Sequence, residues 1–300
     1  MTLARSIKRS GIYWRFGANL RPTLRYIADG KRGLNDEVRR VVGELDQNGV
    51  ASTSAERLLE SDLVRELESA AGELLVRRAD DVRRMKETVD SDLSIGQKTF
   101  NIELLGSEPL FDAESPFARV ALSKPFLQIA NAYLRMTAKL RYYNVWITAA
   151  SKGRPRESQL WHFDREDNYI LKAFFYLDDV DEGTGPFTYA PGTHRRGAHR
   201  SIKPEFEIEG SVRRTTDEQM SAVYPRERWR IGTGKKFSII FADTRGYHKG
   251  GEARTKDRLM YTCMYTSPAS ESKQLLHVRP GPGLADLSEF QKRALGSRRP

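Results

Sequence analysis

Cysteine is almost absent: Cys263 stands alone in 300 residues, so no intrachain disulfide can form, and a reducing, cytoplasmic location is expected. Its setting, Leu259-Met260-Tyr261-Thr262-Cys263-Met264-Tyr265, marks a buried strand thiol that packs rather than reacts. Long hydrophobic runs are missing too. No stretch approaches the ~20 consecutive apolar residues that a membrane-spanning helix requires, and the N-terminus lacks an apolar signal core. Neither a spanning protein nor one secreted by a recognisable signal is expected. There is no internal repeat, low-complexity tract or domain linker, and 39% hydrophobic content over 300 residues suffices for one large core, hence a single domain over 1–300.

Against that background the segment His162-Phe163-Asp164, followed by His248, stands out. In a β-strand residues i and i+2 point to one face, so His162 and Asp164 can reach one metal ion while Phe163 turns into the opposite layer, and a distant strand must bring His248. Two neutral imidazoles and one carboxylate occupy one side of an octahedral ion and leave the other side open to a chelating co-substrate and O2. Ferrous iron is the expected metal.

The neighbouring residues extend the pattern. Gln159-Leu160-Trp161-His162-Phe163-Asp164 is followed by an apolar run from Tyr169 to Leu177, an acidic turn Asp178-Asp179-Val180-Asp181-Glu182 before Gly185-Pro186, and Ala190-Pro191-Gly192-Thr193-His194. These three segments, in this order, resemble the phytanoyl-CoA dioxygenase-like family of Fe(II)/2-oxoglutarate-dependent oxygenases. The resemblance continues in Tyr247-His248-Lys249-Gly250, with Thr255 and then Arg258 ten residues after the histidine.

The resemblance implies iron held by His162, Asp164 and His248, with 2-oxoglutarate chelated to it and Arg258 gripping the distal carboxylate of that co-substrate. A guanidinium is suited to this because it is planar, permanently charged and donates two parallel hydrogen bonds. Thr255 is expected to add a hydroxyl donor, and Gln159 to meet either the inner end of 2-oxoglutarate or the substrate, the other reading being a surface strand residue. Arg254 sits at the wrong offset. Gly250 and Ala253 stand where the family commonly has a small hydroxyl residue and an asparagine, so those contacts are not carried over. His194 belongs to the pocket's scaffold, and His199 and His277 read as loop residues. A retained Asp164 argues against halogenation, for which a small residue there would free a position for chloride; hydroxylation with release of succinate and CO2 is the default. Another class fits the same ligands: a cupin-like metal-binding isomerase, hydrolase or sensor that does not use 2-oxoglutarate. A catalytically silent binding protein is disfavoured by the complete ligand set.

Formal charge is +10, and residues 1–33 hold eight Lys or Arg against Asp29 alone, interleaved with Ile12, Tyr13, Trp14, Phe16, Leu20, Leu24, Tyr26 and Ile27. Such a segment can lie on an anionic membrane, or it can be a solvated arm, since Pro22 and two glycines interrupt a long amphipathic helix. Basic pairs elsewhere, Lys31-Arg32, Arg213-Arg214, Lys235-Lys236 and Arg298-Arg299, are scattered and accompany no nucleic-acid module; an acidic small substrate or a phosphate-bearing conjugate explains them as well, and a small or lipid- or sugar-linked anionic metabolite is expected rather than nucleic acid.

The expected fold is mainly β with flanking helices: a double-stranded β-helix, jelly-roll or cupin-like, behind an α-helical N-terminal part. The segments are a basic arm (1–34), a mainly helical part (35–138), the barrel core (139–270) with an insertion over its mouth at about 195–234, and a basic tail (271–300). Asn35 caps a helix in which Val38, Val41, Val42 and Leu45 repeat, Asn48-Gly49 stops it and Val50 starts a short strand. Leucine spacing predicts one long or two consecutive helices over residues 55 to about 90, Pro125 to Met136 another, and Lys139 to Thr148 an aromatic, β-branched strand. Further strands are expected over Lys172–Asp178, Phe187–Ala190, Lys236–Ala242, Tyr247–Gly250 and Arg258–Ser267.

Overall fold

A computed structural model describes residues 10–29, 33–91, 98–209, 212–271, 273–279 and 282–296. Parts of the basic arm and tail, including Lys31-Arg32 and Arg298-Arg299, lie outside the described residues. Eleven strands, all paired antiparallel, are present among them. β1 (Val50–Ser54), β2 (Asn101–Glu103), β3 (Lys139–Thr148), β4 (Leu171–Tyr176), β9 (Ser238–Asp243) and β11 (Arg258–Thr266) make a six-stranded sheet in the order β1-β9-β4-β11-β3-β2. A smaller sheet joins β10 (His248–Lys249), β5 (Thr188–Tyr189) and β8 (Arg230–Ile231), and β6 (Glu207–Glu209) pairs with β7 (Val212–Arg214) as a hairpin.

The helices are set by local signals. The Asn35 side chain accepts from the Val38 amide at 2.8 Å, and Gly49 ends the helix Asp36–Asn48 in the left-handed region at φ 78°. A Cβ at Gly49 would also run into the Tyr189 hydroxyl and the His194 ring, so the turn out of this helix admits only glycine. Residues 55–90 form three helices rather than one or two, Ala55–Leu58, Ser61–Arg77 and Ala79–Thr88, because Leu59 adopts an extended backbone that breaks the first from the second. Pro22 does not interrupt the N-terminal helix Leu20–Asp29: it lies in the first turn, where its missing N–H has no intrahelical acceptor to lose. No helix among the described residues is long and apolar enough to cross a membrane.

Alternation along the strands divides the interior in two. Ala173, Phe175, Ile239, Phe241, Tyr261, Cys263 and Tyr265 face the helices and join Val38, Leu45, Phe126 and Tyr133 in the larger core. Phe174, Tyr176, Ile240, Ala242 and Met260 point the other way and pack with Phe187 and Tyr189 of the smaller sheet. Lys172 and Arg258 have the parity of Phe174 and Met260, so two cationic side chains enter the space between the sheets. A charged residue there needs a partner, and that requirement builds the site.

Candidate metal centre

His162 does not lie in a regular strand as the His-x-Asp spacing suggested. It makes an isolated antiparallel bridge with His248, the amides and carbonyls of the two residues exchanging hydrogen bonds at 2.9 Å, while the Asp164 amide donates to the Thr244 carbonyl at 2.8 Å. The preceding residue, Trp161, bridges Thr215 from the 195–234 segment. The ligand segment is thus held on one edge by the strand that carries His248 and on the other by the chain beyond β7. Asp217 strengthens the second edge by accepting from the Trp161 indole at 2.7 Å and pairing with Lys249 at 2.7 Å.

One side-chain atom from each of His162, Asp164 and His248 lies within 4.8 Å of the others, a spacing that can hold a metal ion. The imidazoles are prepared for ligation. Each Nδ1 faces a backbone carbonyl two residues back, Leu160 O at 2.8 Å for His162 and Gly246 O at 3.0 Å for His248, an arrangement that puts the proton on Nδ1 and leaves the Nε2 lone pair free. Burial holds His248 down to about 4 and keeps His162 well below the ordinary histidine value, so both rings are neutral. Asp164 is largely buried, which alone would raise its pKa, but the Lys172 ammonium 2.7 Å away drives it below the usual carboxylate range. Lys172 is raised in turn, Asp164 outweighing the effect of burial.

His162 and Asp164 line two cavities, and His248 lines the inner of them. The inner one, about 80 Å³, is lined by Thr148, Lys172, Phe174, Phe187, Gly250 and Arg258 among others. Arg258 is buried; its Nη1 donates to the Gly250 carbonyl at 2.5 Å, Thr148 Oγ1 lies 3.5 Å from Nη2, and its Nε has no partner. Thr148 is Arg258's cross-strand neighbour in the β3–β11 register, which explains their proximity. The outer cavity, about 750 Å³, is lined by residues of the ligand segment, of Thr193–Thr215 and of Arg245 and Tyr247; eight lysine or arginine side chains face it against two carboxylates. Phe163 lines the outer cavity together with His162 and Asp164, but not the inner one, and packs edge-on against Tyr247.

Two other expected contacts fall differently. Thr255 is exposed in a turn where its amide donates to the Gly183 carbonyl, and it lines neither cavity; the hydroxyl beside Arg258 is that of Thr148, and Ser158 lines both cavities. Gln159 is buried, not a surface residue, with its Oε1 accepting from the Arg156 amide at 3.1 Å and its Nε2 without a partner, but it is not in either cavity wall. Arg254 is spent on the Ser151 and Gly153 carbonyls. His194 is buried beside the Asp46 carbonyl, His199 packs edge-on against Tyr224, and His277 pairs with Glu108 on the surface. Lys172 went unnoticed in the sequence, although a lone lysine inside Ile170-Leu171-Lys172-Ala173-Phe174-Phe175-Tyr176 is itself a signal, since a buried lysine demands an anion.

No protein-family model and no curated protein sequence matches this chain. Among solved structures it is similar to AviO1 from Streptomyces viridochromogenes Tue57, with 17% identity and TM-score 0.51 over 80% of this chain and 99% of that one. It is also similar to EctD from S. alaskensis with bound Fe (20% identity, TM-score 0.52, 82% of this chain and 84% of that one) and to the same protein with 2-oxoglutarate and 5-hydroxyectoine (19%, 0.52, 82% and 84%). At these identities the likeness is one of fold.

Proposed function

We propose that this protein is an Fe(II)- and 2-oxoglutarate-dependent oxygenase acting on a small anionic substrate, with hydroxylation of a C–H bond as its reaction. The observation that carries this reading is the convergence of His162, Asp164 and His248 on one point beside a buried arginine, Arg258, whose Nε lacks a partner. The donor set fits ferrous iron: two neutral imidazoles and a carboxylate that the fold keeps ionised. Arg258 would hold the distal carboxylate of 2-oxoglutarate. Iron and 2-oxoglutarate, when bound, would supply the activation of O2, and Phe174, Phe187 and Met260 form the apolar part of the inner cavity's lining. That EctD has been crystallised with Fe and with 2-oxoglutarate supports the assignment. So does the fold, in which we read the two main sheets as the halves of a double-stranded β-helix, with the 195–234 segment over its mouth.

Anaerobic addition of Fe(II) and 2-oxoglutarate is expected to produce a weak visible charge-transfer band that appears only when both are present. An iron-loaded, folded protein without that band would overturn the assignment in favour of a metal-binding barrel that does not use 2-oxoglutarate.

We also propose that the N-terminal segment rests on an anionic membrane surface. Ile12, Tyr13, Phe16, Leu20, Leu24 and Ile27 are half of the twelve large hydrophobic residues exposed in the described structure, and from Tyr13 to Ile27 they recur every three to four residues, the spacing of one helix face. Arg21 and Arg25 are exposed beside them, and each basic residue near such a surface contributes about 1 kcal/mol. Trp14 is the exception, buried and donating to Asp167 at 2.6 Å, so the segment is pinned to the chain just beyond Asp164. The full-length protein is expected to sediment with phosphatidylglycerol vesicles and not with phosphatidylcholine vesicles, and Leu24→Glu/Ile27→Glu to reduce that binding about tenfold or more. Equal sedimentation of the variant, or its loss of self-association instead of vesicle binding, would dismiss the membrane contact.

A further inference from the structure

The outer cavity is far more basic than the capture of one carboxylate requires. Arg165, Arg195, Arg200, Lys203, Arg213 and Arg245 face it, and the nearest acidic group besides Asp164 is Glu166, whose carboxylate is engaged by the Arg165 amide at 2.7 Å. Like charges gathered in one concavity repel, and the arrangement is favourable only with an anion between them.

Several of these cations are held in place rather than waving in solvent. Phe163, the residue between His162 and Asp164, carries the guanidinium of Arg165 at 5.2 Å and that of Arg245 at 5.4 Å from its ring centre. Arg213 lies 4.1 Å from the centre of the Phe206 ring. Stacking on an aromatic face leaves the in-plane N–H donors of a guanidinium free to reach an oxyanion. Arg245 is fixed further by donating to the Asp164 carbonyl at 2.6 Å, while its buried Nε has no partner; Arg195 is steadied by Asn168 at 2.7 Å. The chain already handles a buried region for one carboxylate differently, with the single guanidinium of Arg258 in a cavity a tenth the size.

We propose that these six cations form a phosphate-binding subsite, so that the substrate oxidised at the triad carries a phosphoryl group, as an ester or a diphosphate. A phosphoryl group brings up to two charges and three acceptor oxygens, which several converging guanidinium forks can satisfy together. The assignment names the substrate class for the oxygenase reading and rests on it, but the binding step needs no metal.

The probes are inorganic phosphate, pyrophosphate, acetate and malonate, titrated calorimetrically into the metal-free, full-length protein at fixed ionic strength. Pyrophosphate is expected to bind at one saturable site, more tightly than phosphate and at least about tenfold more tightly than either carboxylate. Arg200→Ala/Arg213→Ala, which alters two exposed side chains, is expected to weaken pyrophosphate about tenfold or more. No saturable pyrophosphate site, carboxylates that bind as tightly, or a variant with wild-type affinity would each overturn the subsite. The anaerobic Fe(II)/2-oxoglutarate band of the same wild-type preparation separates the two readings: pyrophosphate binding without the band removes the oxygenase and keeps the subsite, and the band without pyrophosphate binding does the reverse.

Discussion

Asp164→Ala is expected to abolish turnover, with succinate production falling below detection at any 2-oxoglutarate concentration. It removes the only carboxylate of the triad, leaving two imidazoles that the fold holds neutral, and the loss of iron affinity should exceed the roughly 10–100-fold typical of groups that merely orient a ligand. The substitution has a second effect that must be separated from the first. Lys172 pairs with Asp164 at 2.7 Å with both side chains largely buried, and deleting one partner of such a pair leaves an uncompensated charge worth about 3–5 kcal/mol of stability. Asp164→Ala/Lys172→Met removes that charge as well. The double variant is expected to recover most of the stability in chemical denaturation and none of the activity; normal product formation by either variant would sink the triad as the metal site.

Arg258→Ala is expected to leave iron binding near the wild-type level while weakening 2-oxoglutarate about a hundredfold, equivalent to about 2.7 kcal/mol, in the anaerobic titration. The magnitude follows from burial: desolvation lowers the pKa of Arg258, so the guanidinium stands in a poorly hydrated space, and an anion that reaches it meets little competition from water. Arg258→Lys should fall between, because a lysine keeps the charge but loses the two-pronged geometry. Wild-type co-substrate affinity in Arg258→Ala would reassign the residue to a purely structural role, bracing Gly250.

Much of this arrangement was legible in the sequence because it is written locally. β3 spans Lys139–Thr148 as its aromatic and β-branched composition indicated, Asn35 and Gly49 bound their helix as capping chemistry requires, and the other strands of the two main sheets start or end within two residues of their expected limits in most cases. His162, Asp164 and His248 come within 4.8 Å of one another, and all three line one cavity with Arg258. What was not legible depends on long-range placement. Thr255 is expected to add a hydroxyl donor beside Arg258, but the turn against Gly183 leaves it on the surface, whereas Thr148 reaches Arg258 through a strand register that no local pattern encodes. The 195–234 segment reads as an insertion over the mouth and Arg213-Arg214 as one of several scattered basic pairs, but only the folding of that segment against Trp161 brings Arg195, Arg200 and Arg213 into one cavity with Arg165 and Arg245. Lys172 was hidden by its own apolar neighbours.

Lys172 bears on how such a protein comes to exist in a cell. A largely buried carboxylate beside two histidines would ordinarily make folding wait for a captured cation, as it does in domains whose metal is their core. Here the chain provides that cation itself, from the next strand, so synthesis and folding can run to completion whatever the iron supply. On the proposed reading, loading is an exchange rather than a filling: an arriving ion would have to displace an ammonium, and maturation would be governed by that competition instead of by the folding of the chain.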